Sequence, residues 1–478
     1  MKYVPERLIQ LLTEGAEAHP DSEVFLRLIA AIKAAKGLPD KSVLAGLLQP
    51  TSAEELDGQE PDGEQPSPVH DTSDEKRDWR CTHLTMSGVR AFPPLTDGDT
   101  DRFGIDLSDT SITVIGDRYS DSAICTARGK GNPVSTIILG HNGAGKTSIF
   151  TALEAVSIGH STIADVHGYE SDDDQVKFLQ HGGGTSADPK ITLLTTSAPL
   201  YYPNRTVEAI VPAFFCSEYD IQQLERAVNH TGYVANQVGH GPTLELYNSL
   251  KEVIADGDEV PAGQDMAPLR EIAEFIGSRL SKYLKTLSNL ANEILPAMMA
   301  GFLDTDCTIV TSCENLSFKV TLKISDPSSE DLPRRYFNTF RFKMFVVGLK
   351  VALACCAKKM NGINFPVVID DVFDASDFTN KGRIRDFIRS LVEQHDKVSK
   401  AEGFADKPLQ LIFLTQDDII GRNIYQGIKS SDTDMRVKFC RLYSAKEADK
   451  DDDLRICRAD GSALVQYRRV TTLINSNF

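Results

Sequence analysis

A glycine-rich loop between an apolar strand and a helix constrains this chain most. Residues 135–140, STIILG, predict a buried strand, and residues 147–159 predict a helix. The loop between them fits the pattern G-x-x-x-x-G-K-[ST]. The ligand-binding residues expected from this pattern are Gly140, His141, Asn142, Gly143, Ala144, Gly145, Lys146, Thr147 and Ser148. Glycines let successive backbone N–H groups surround a phosphate, and the helix presents its N-terminus to the anion, so the sequence predicts a nucleotide-binding site.

Two side chains of this loop carry the expected chemistry. The Lys146 ammonium would lie on the β- and γ-phosphates, and the Thr147 hydroxyl would reach a Mg²⁺ ion. The predicted ligands of the site are therefore a nucleotide with β- and γ-phosphates and Mg²⁺.

A second motif supplies carboxylates for the same site. Residues 365–371, FPVVIDD, predict a buried strand that ends in Asp370 and Asp371. Adjacent acids at the end of a buried strand are costly to bury without a cation. We expect Asp370 to hold Mg²⁺ and Asp371 to orient the attacking water. The alternative is that both acids only cap the strand.

The rest of the main body predicts a parallel α/β sheet covered on both faces. Apolar strands at 135–140, 365–371 and 409–415 alternate with helices such as 340–360, a pattern typical of such sheets. Residues 161–205 are polar and are expected to be rich in loops.

Composition divides the chain into four regions. Residues 1–50 predict short helices, either an accessory cap on the main body or a docking module for a partner. Residues 51–78 hold ten acidic and two basic side chains and predict a disordered linker. The main body is expected over 79–445, with a helical lobe inserted at about 225–360, and residues 446–478 form a C-terminal add-on.

Charge and composition exclude several classes of protein. The net charge of −17 argues against a surface that coats nucleic acid. The sequence has no apolar stretch of the length that spans a membrane. Nine cysteines without a CxxC pair do not indicate a disulfide framework or a zinc site. We expect a cytoplasmic protein.

The motifs together resemble the ABC-type ATPases of the SMC, Rad50, RecN and RecF group. The loop at 140–147 has their Gly-x-Asn-Gly-x-Gly-Lys-Thr form, and residues 370–377, DDVFDASD, resemble their Walker B motif and D-loop. The resemblance implies an ATPase head with a mostly parallel sheet and a helical lobe, acting as a head-to-tail dimer or higher oligomer. It places Asp377 at the D-loop aspartate and Gln416 at the switch position, where the family usually has histidine. Asp371 stands in place of the family's glutamate.

The family's signature motif corresponds to residues 337–341, FNTFR, at the start of an apolar helix. The resemblance puts Asn338 in the place of the serine that reaches the γ-phosphate bound by the other copy, with Arg341 adding charge. The alternative is a solvated helix start. The glutamine loop of the family would lie in AFFCSEYDIQQ, where the candidates are Ser217, Glu218 and Gln222.

Within that group, the amino-acid sequence over 338–378 is similar to that of the PtuA-type ATPases of the Septu and retron-linked anti-phage systems. This implies an ATPase that gates a separate effector, namely a nuclease. Two alternatives stay open: a RecF- or RecN-like DNA repair ATPase that grips DNA itself, and an ATP-bound scaffold that does not hydrolyse ATP.

Overall fold

The computed structural model describes most of the chain between residues 6 and 442. The described ranges are 6–20, 22–35, 37–48, 77–90, 92, 104–109, 131–140, 144–169, 171–180, 188–203, 214–227, 229–256, 265–303, 307–324, 330–373, 378–433 and 435–442. Residues 51–76 of the expected linker, the C-terminal add-on at 446–478, the loop residues 141–143 and Asp377 lie outside these ranges.

The helices and strands follow the chain in this order. The helices are α1 (Glu6–Ala18), α2 (Val24–Ala35), α3 (Lys41–Gly46), α4 (Lys146–Ile158), α5 (Thr162–Val166), α6 (Asp172–Leu179), α7 (Glu218–Arg226), α8 (Thr231–Gln237), α9 (Gly241–Asp256), α10 (Ala267–Met299), α11 (Pro333–Tyr336), α12 (Thr339–Asn361), α13 (Phe378–Ala401) and α14 (Asp418–Lys429). The strands are β1 (Arg77–Asp78), β2 (Cys81–Ser87), β3 (Gly104–Asp106), β4 (Ser135–Gly140), β5 (Lys190–Thr195), β6 (Leu200–Tyr202), β7 (Phe214–Cys216), β8 (Cys307–Glu314), β9 (Ser317–Ile324), β10 (Glu330–Asp331), β11 (Ile363–Asn364), β12 (Val367–Asp370), β13 (Leu411–Thr415) and β14 (Val437–Leu442).

The chain divides into two compact units. Of the described residues, one unit contains those between 6 and 48, those of 234–256 and 265–285, and 314–316, and the other contains the rest. In the first unit the N-terminal helices share one hydrophobic core with α9 and the first half of α10. The core residues include Leu8, Leu12, Phe25, Leu28, Ile32, Leu44, Leu250, Leu269, Ile272 and Ile276. Helices α1, α2 and α3 therefore fold together with part of the segment that was predicted to belong to the inserted lobe.

A five-stranded parallel sheet, in the order β14-β4-β13-β12-β7, lies at the centre of the second unit. Strands β4, β7, β12 and β13 are buried along their whole length, as their unbroken apolar sequences predict. The predicted α/β class with a mostly parallel sheet is confirmed.

The second unit also holds an antiparallel sheet, in the order β3-β2-β5-β6. Two of its strands and the helices α5 and α6 lie within 161–205, so this stretch holds more regular structure than its expected richness in loops suggests. Strand β5 buries alternate residues, Ile191 and Leu193, and its polar neighbours conceal this short signal.

The end of the expected linker is ordered. Arg77 and Asp78 form β1, which pairs in parallel with β11. The Asp78 carboxylate is buried and accepts hydrogen bonds from Arg80 Nη2 at 2.8 Å and Asn364 Nδ2 at 3.0 Å. These bonds explain why an acidic residue at the end of an acidic segment enters the interior.

None of the helices in the described ranges has both the length and the apolar character needed to cross a membrane.

Candidate functional site

Four parallel strands end at one edge of the central sheet. Register pairs Leu139 of β4 with Thr415 of β13, Leu414 of β13 with Asp370 of β12, and Ile369 of β12 with Cys216 of β7. The residues that follow these strands therefore meet at the same edge, although they come from four distant parts of the sequence. Such an edge is where α/β sheets bind ligands.

The glycine-rich loop is tightly built where the structure describes it. Gly145 has a φ of 100° and directly precedes α4, a backbone conformation that suits glycine. A side chain at Gly140 would bring its Cβ within 3.0 Å of Leu442 Cβ and 3.3 Å of Ala144 Cβ. The backbone conformation therefore favours glycine at Gly145, and close packing leaves little room for a side chain at Gly140.

Lys146 lies at the first residue of α4 and folds back over the loop. Its side chain is buried, and its Nζ donates a hydrogen bond to the Gly140 carbonyl at 2.8 Å. Its positive charge also acts on Asp370, where it offsets part of the rise in carboxyl pKa that burial causes. The structure therefore joins the two motifs that the sequence analysis assigned to one site.

Asp370 is a buried carboxylate with unused hydrogen-bonding capacity. Its Oδ1 is buried and has no hydrogen-bond partner, while the Thr147 side chain hydrogen-bonds to the carboxylate. Burial, with the neighbouring charge of Asp371, raises its pKa to about 7. An orphaned buried carboxylate oxygen beside a hydroxyl is the donor set that Mg²⁺ prefers, so Thr147 and Asp370 fit this cation.

Asp371 has a strained backbone and a fixed side chain. Its φ is 46°, a left-handed value that is uncommon for residues other than glycine and that often accompanies function. Its N–H donates to the Leu414 carbonyl at 2.8 Å, and its Oδ1 accepts from the Gln416 N–H at 3.4 Å. The structure thus brings the two predicted catalytic residues together.

Asp417, which follows Gln416 after β13, contacts two helices. Asp417 caps α14, because its Oδ1 accepts from the N–H groups of Ile419 at 2.8 Å and Ile420 at 3.1 Å. Its other oxygen contacts the ammonium of Lys381 on α13. Lys381 is not among the predicted site residues, since a lysine in the first turns of a charged helix is ordinarily solvated.

Asn338 forms the N-cap of α12 and is exposed. Its Oδ1 accepts a hydrogen bond from the Arg341 N–H at 2.9 Å. Arg341 is half-buried in the first turn of the same helix. An exposed cap suits both a solvated helix start and a contact with a second copy, so the role of this segment stays a prediction.

The three candidates after β7 have different surroundings. Ser217 is buried and caps α7, where its hydroxyl accepts from the Tyr219 N–H at 3.3 Å. Glu218 forms an ion pair with Lys343 at 3.3 Å, and Gln222 is exposed. The residue that sequence analysis missed is Asp220, which completes the capping box with Ser217.

Glu154, two turns into α4, is a buried carboxyl of the same unit. It accepts hydrogen bonds from Thr162 Oγ1 at 2.5 Å and Ser161 Oγ at 3.1 Å. Burial raises its pKa to about 8, and the charge of Asp220 acts in the same direction.

We expect Glu154→Gln to change how thermal stability depends on pH. The folded carboxyl keeps its proton up to about pH 8, whereas an unfolded glutamate loses it near the ordinary value of 4.5. Its contribution to stability is therefore complete below about pH 4.5 and is lost as the pH rises towards 8. Glutamine stays neutral, so the Tm of the variant relative to the original chain should rise across this window. The exposed control Glu274→Gln should show no such trend, and a flat difference for Glu154→Gln would contradict the assignment.

The chain matches no protein-family model and no curated protein. Among solved structures it is similar to the recombination mediator protein RecF with ATP, at 12% identity and a TM-score of 0.43, over 76% of this chain and 97% of that chain. For RecF-ATPrS the identity is 12% and the TM-score 0.41, over 76% of this chain and 96% of that chain. For the SMC head domain from Thermotoga maritima the identity is 12% and the TM-score 0.32, over 76% of this chain and 95% of that chain. Similarity at this level says nothing about the activity or ligands of this chain.

Proposed function

We propose that the chain is an ABC-type ATPase that binds ATP with Mg²⁺. One observation carries this proposal: the Asp370 Oδ1 atom, which is buried and has no hydrogen-bond partner, lies at the same edge of the sheet as the start of the loop that leads to Lys146. A cation supplies the missing partner of that oxygen, and a nucleotide phosphate supplies an anion for the lysine and the helix N-terminus.

The remaining roles follow the sequence motifs. Asp371 orients the attacking water, Gln416 holds the switch position, and Asp377 belongs to the D-loop. Asn338 and Arg341 would act on the nucleotide bound by a second copy, in a head-to-tail dimer or higher oligomer. The exposure of Asn338 at the helix start supports this arrangement, because a second copy can reach it.

Phosphate release from ATP tests this proposal directly. With Mg²⁺ present, release per molecule should rise with protein concentration, since each complete site needs two copies. Removing Mg²⁺ with EDTA should stop release. No release at any concentration, with ATP still bound, would favour the non-hydrolysing scaffold.

Asn338→Asp should impair turnover more than Asn338→Ala. The aspartate would place a carboxylate beside phosphate oxygens in a site with little water, where like charges repel strongly. ATP binding by the single chain should remain, because its own loop is unchanged. Calorimetry and phosphate release together measure this difference.

Asp is itself a good N-cap, so the variant should keep the fold of α12. Equal turnover for the aspartate and alanine variants would count against a phosphate contact at this position.

We further propose that the ATP cycle gates a separate effector nuclease in anti-phage defence, in the cytoplasm. The similarity of residues 338–378 to the Septu and retron-linked ATPases supports this role. Co-expression with a nuclease encoded beside this gene tests it: a complex whose nuclease activity is insensitive to Asp371→Ala would contradict gating.

A second candidate function is direct binding of DNA or RNA. Helix α13 carries three exposed arginines, Arg383, Arg385 and Arg389, which form a local basic face on a chain of net charge −17. Two of them contact Asp386, at 3.1 Å and 3.9 Å, which reduces their charge. Salt-dependent binding of duplex DNA that is lost when all three become alanine would support a RecF- or RecN-like role.

A further inference from the structure

A groove with a volume of about 360 Å³ lies between α9 and the first half of α10, within the first unit. Each helix contributes residues spaced four and then three positions apart, so each turns one face towards the groove. The residues on these two faces include Tyr247, Lys251, Ile254, Arg270, Glu274 and Gly277.

Part of the groove is apolar and belongs to the core of the unit. Tyr247 and Ile254 are half-buried and pack against the hydrophobic core that the N-terminal helices share with α9 and α10. At Gly277 a Cβ atom would come within 2.7 Å of Tyr247 Cε2, so the absence of a side chain there lets the ring lie against α10. The groove therefore offers a rigid apolar surface to an apolar side chain of a ligand.

The charged side chains of the groove leave an excess of positive charge. Lys251 and Arg270 are exposed, and neither forms an ion pair with another described residue. The neighbouring Glu252 is already paired with Lys41 at 2.8 Å. Glu274 is the one acidic side chain that lines the groove, and a carboxylate can accept a backbone N–H of a bound peptide. Two cations against one anion favour an acidic peptide.

A short stretch of the chain itself has this chemistry. Residues 53–57, AEELD, hold three carboxylates around one leucine. Leu56 and Val69 are the only large apolar residues of 51–76. Leu56 has an acid on both sides, whereas Val69 lies between Pro68 and His70. Only the stretch around Leu56 therefore combines the anionic groups and the apolar side chain that the groove can bind.

The chain enters this stretch beside the groove. Leu48, the last residue that the structure describes before it, packs on the same hydrophobic core as Tyr247 and Ile254. Helix α3, which Leu48 follows, contacts α9. Six extended residues lead from Leu48 to Glu54 and span up to about 20 Å. Since α9 has 16 residues and is about 24 Å long, this span reaches along most of the helix.

We propose that residues 53–57 bind in the groove between α9 and α10. Leu56 contacts its apolar side chains, and the three carboxylates contact Lys251 and Arg270. A tethered segment binds at an effective concentration in the millimolar range, so a few exposed ion pairs and one leucine are sufficient. The contact involves the first unit alone and does not depend on ATP.

The first test is cross-linking of the full chain with a water-soluble carbodiimide, which joins an ammonium to a carboxylate in contact with it. Mass spectrometry should find Lys251 joined to residues of 53–57. Lys285 is the matched control, because it is exposed on α10 without an ion pair among the described residues and lies fifteen positions after Arg270, about 22 Å along the helix. It should form no such link.

Two variants separate a docked segment from a chance encounter of charges. Leu56→Ser keeps every charge and should lower the yield of the Lys251 link at least fivefold, because it removes the apolar contact. Arg270→Glu should lower it at least tenfold, and Lys285→Glu should leave it unchanged. Arg270 and Lys285 are both exposed, so thermal stability should stay the same in both charge variants.

The second test measures binding of a fluorescein-labelled peptide of residues 49–62 by anisotropy. The receptor is the full chain with Glu54→Gln, Glu55→Gln, Leu56→Ser and Asp57→Asn, whose own segment no longer fills the groove. This receptor should bind the peptide at least tenfold more tightly than the original chain does. Adding Lys251→Glu and Arg270→Glu to the receptor should abolish binding.

Several results would overturn the proposal. They are the absence of a link from Lys251 in the original chain, an unchanged yield with Leu56→Ser, and equal binding of a peptide with the same composition in scrambled order. The last two would show attraction between charges without a defined site. None of these results bears on the nucleotide site, so the proposed function would stand.

Discussion

Lys146→Ala is expected to abolish ATP binding or to weaken it by about 100-fold or more, because it removes the only lysine of the phosphate loop. The ammonium lies 2.8 Å from the Gly140 carbonyl, within the loop that would surround the phosphates. Titration calorimetry with ATP and Mg²⁺ measures the loss.

The control for this variant is Lys177→Ala. Lys177 is an exposed lysine of the same unit, in an ion pair with Asp174, and its removal should leave ATP binding unchanged. Because Lys146 is buried, Lys146→Met provides a variant of similar volume whose thermal stability can be compared. Tight ATP binding by either folded Lys146 variant would disprove the assignment of the loop.

Asp371→Ala should separate binding from turnover. It removes the water-orienting carboxylate and leaves Lys146, Thr147 and Asp370 in place, so ATP should still bind while phosphate release falls about 100-fold or more. Dimers or higher oligomers should accumulate with ATP, because closure no longer ends in hydrolysis. Size-exclusion chromatography with and without ATP measures this accumulation.

The backbone at Asp371 suggests a companion variant. At a φ of 46° alanine is strained, whereas asparagine tolerates the left-handed region well. Asp371→Asn should therefore lose turnover as Asp371→Ala does, with less effect on thermal stability. If both variants hydrolyse ATP normally, the base lies elsewhere, and Gln416 or Glu218 would be examined next.

Much of the candidate site could be predicted because its parts are contiguous motifs at the ends of strands. The loop at 140–148 and the pair Asp370–Asp371 each follow an unbroken apolar strand, and parallel strands bring their carboxyl ends to one edge. Sequence alone therefore sufficed to place Lys146 and Asp370 together. The fold class followed from the same apolar strands.

Other features depend on contacts between distant residues. The buried ion pair between Asp220 and Lys350 joins helices 130 positions apart, and Asp220 by itself resembles a residue on a solvated helix face. One signal was present: Lys350 interrupts the apolar run FVVGLKVALACC, and a charge there requires a buried partner. Sequence could not identify that partner, nor the shared core of the N-terminal helices with α9 and α10.

Mixing the Lys146→Ala and Asn338→Asp variants tests the two-copy site most directly. A mixed dimer holds one complete site, which pairs the intact loop of one copy with the intact helix start of the other. Since half of the dimers in an equal mixture are mixed, phosphate release should recover to about a quarter of the original rate, although each variant alone is inactive. No recovery in a sample shown to contain mixed dimers would contradict a nucleotide site shared between two copies.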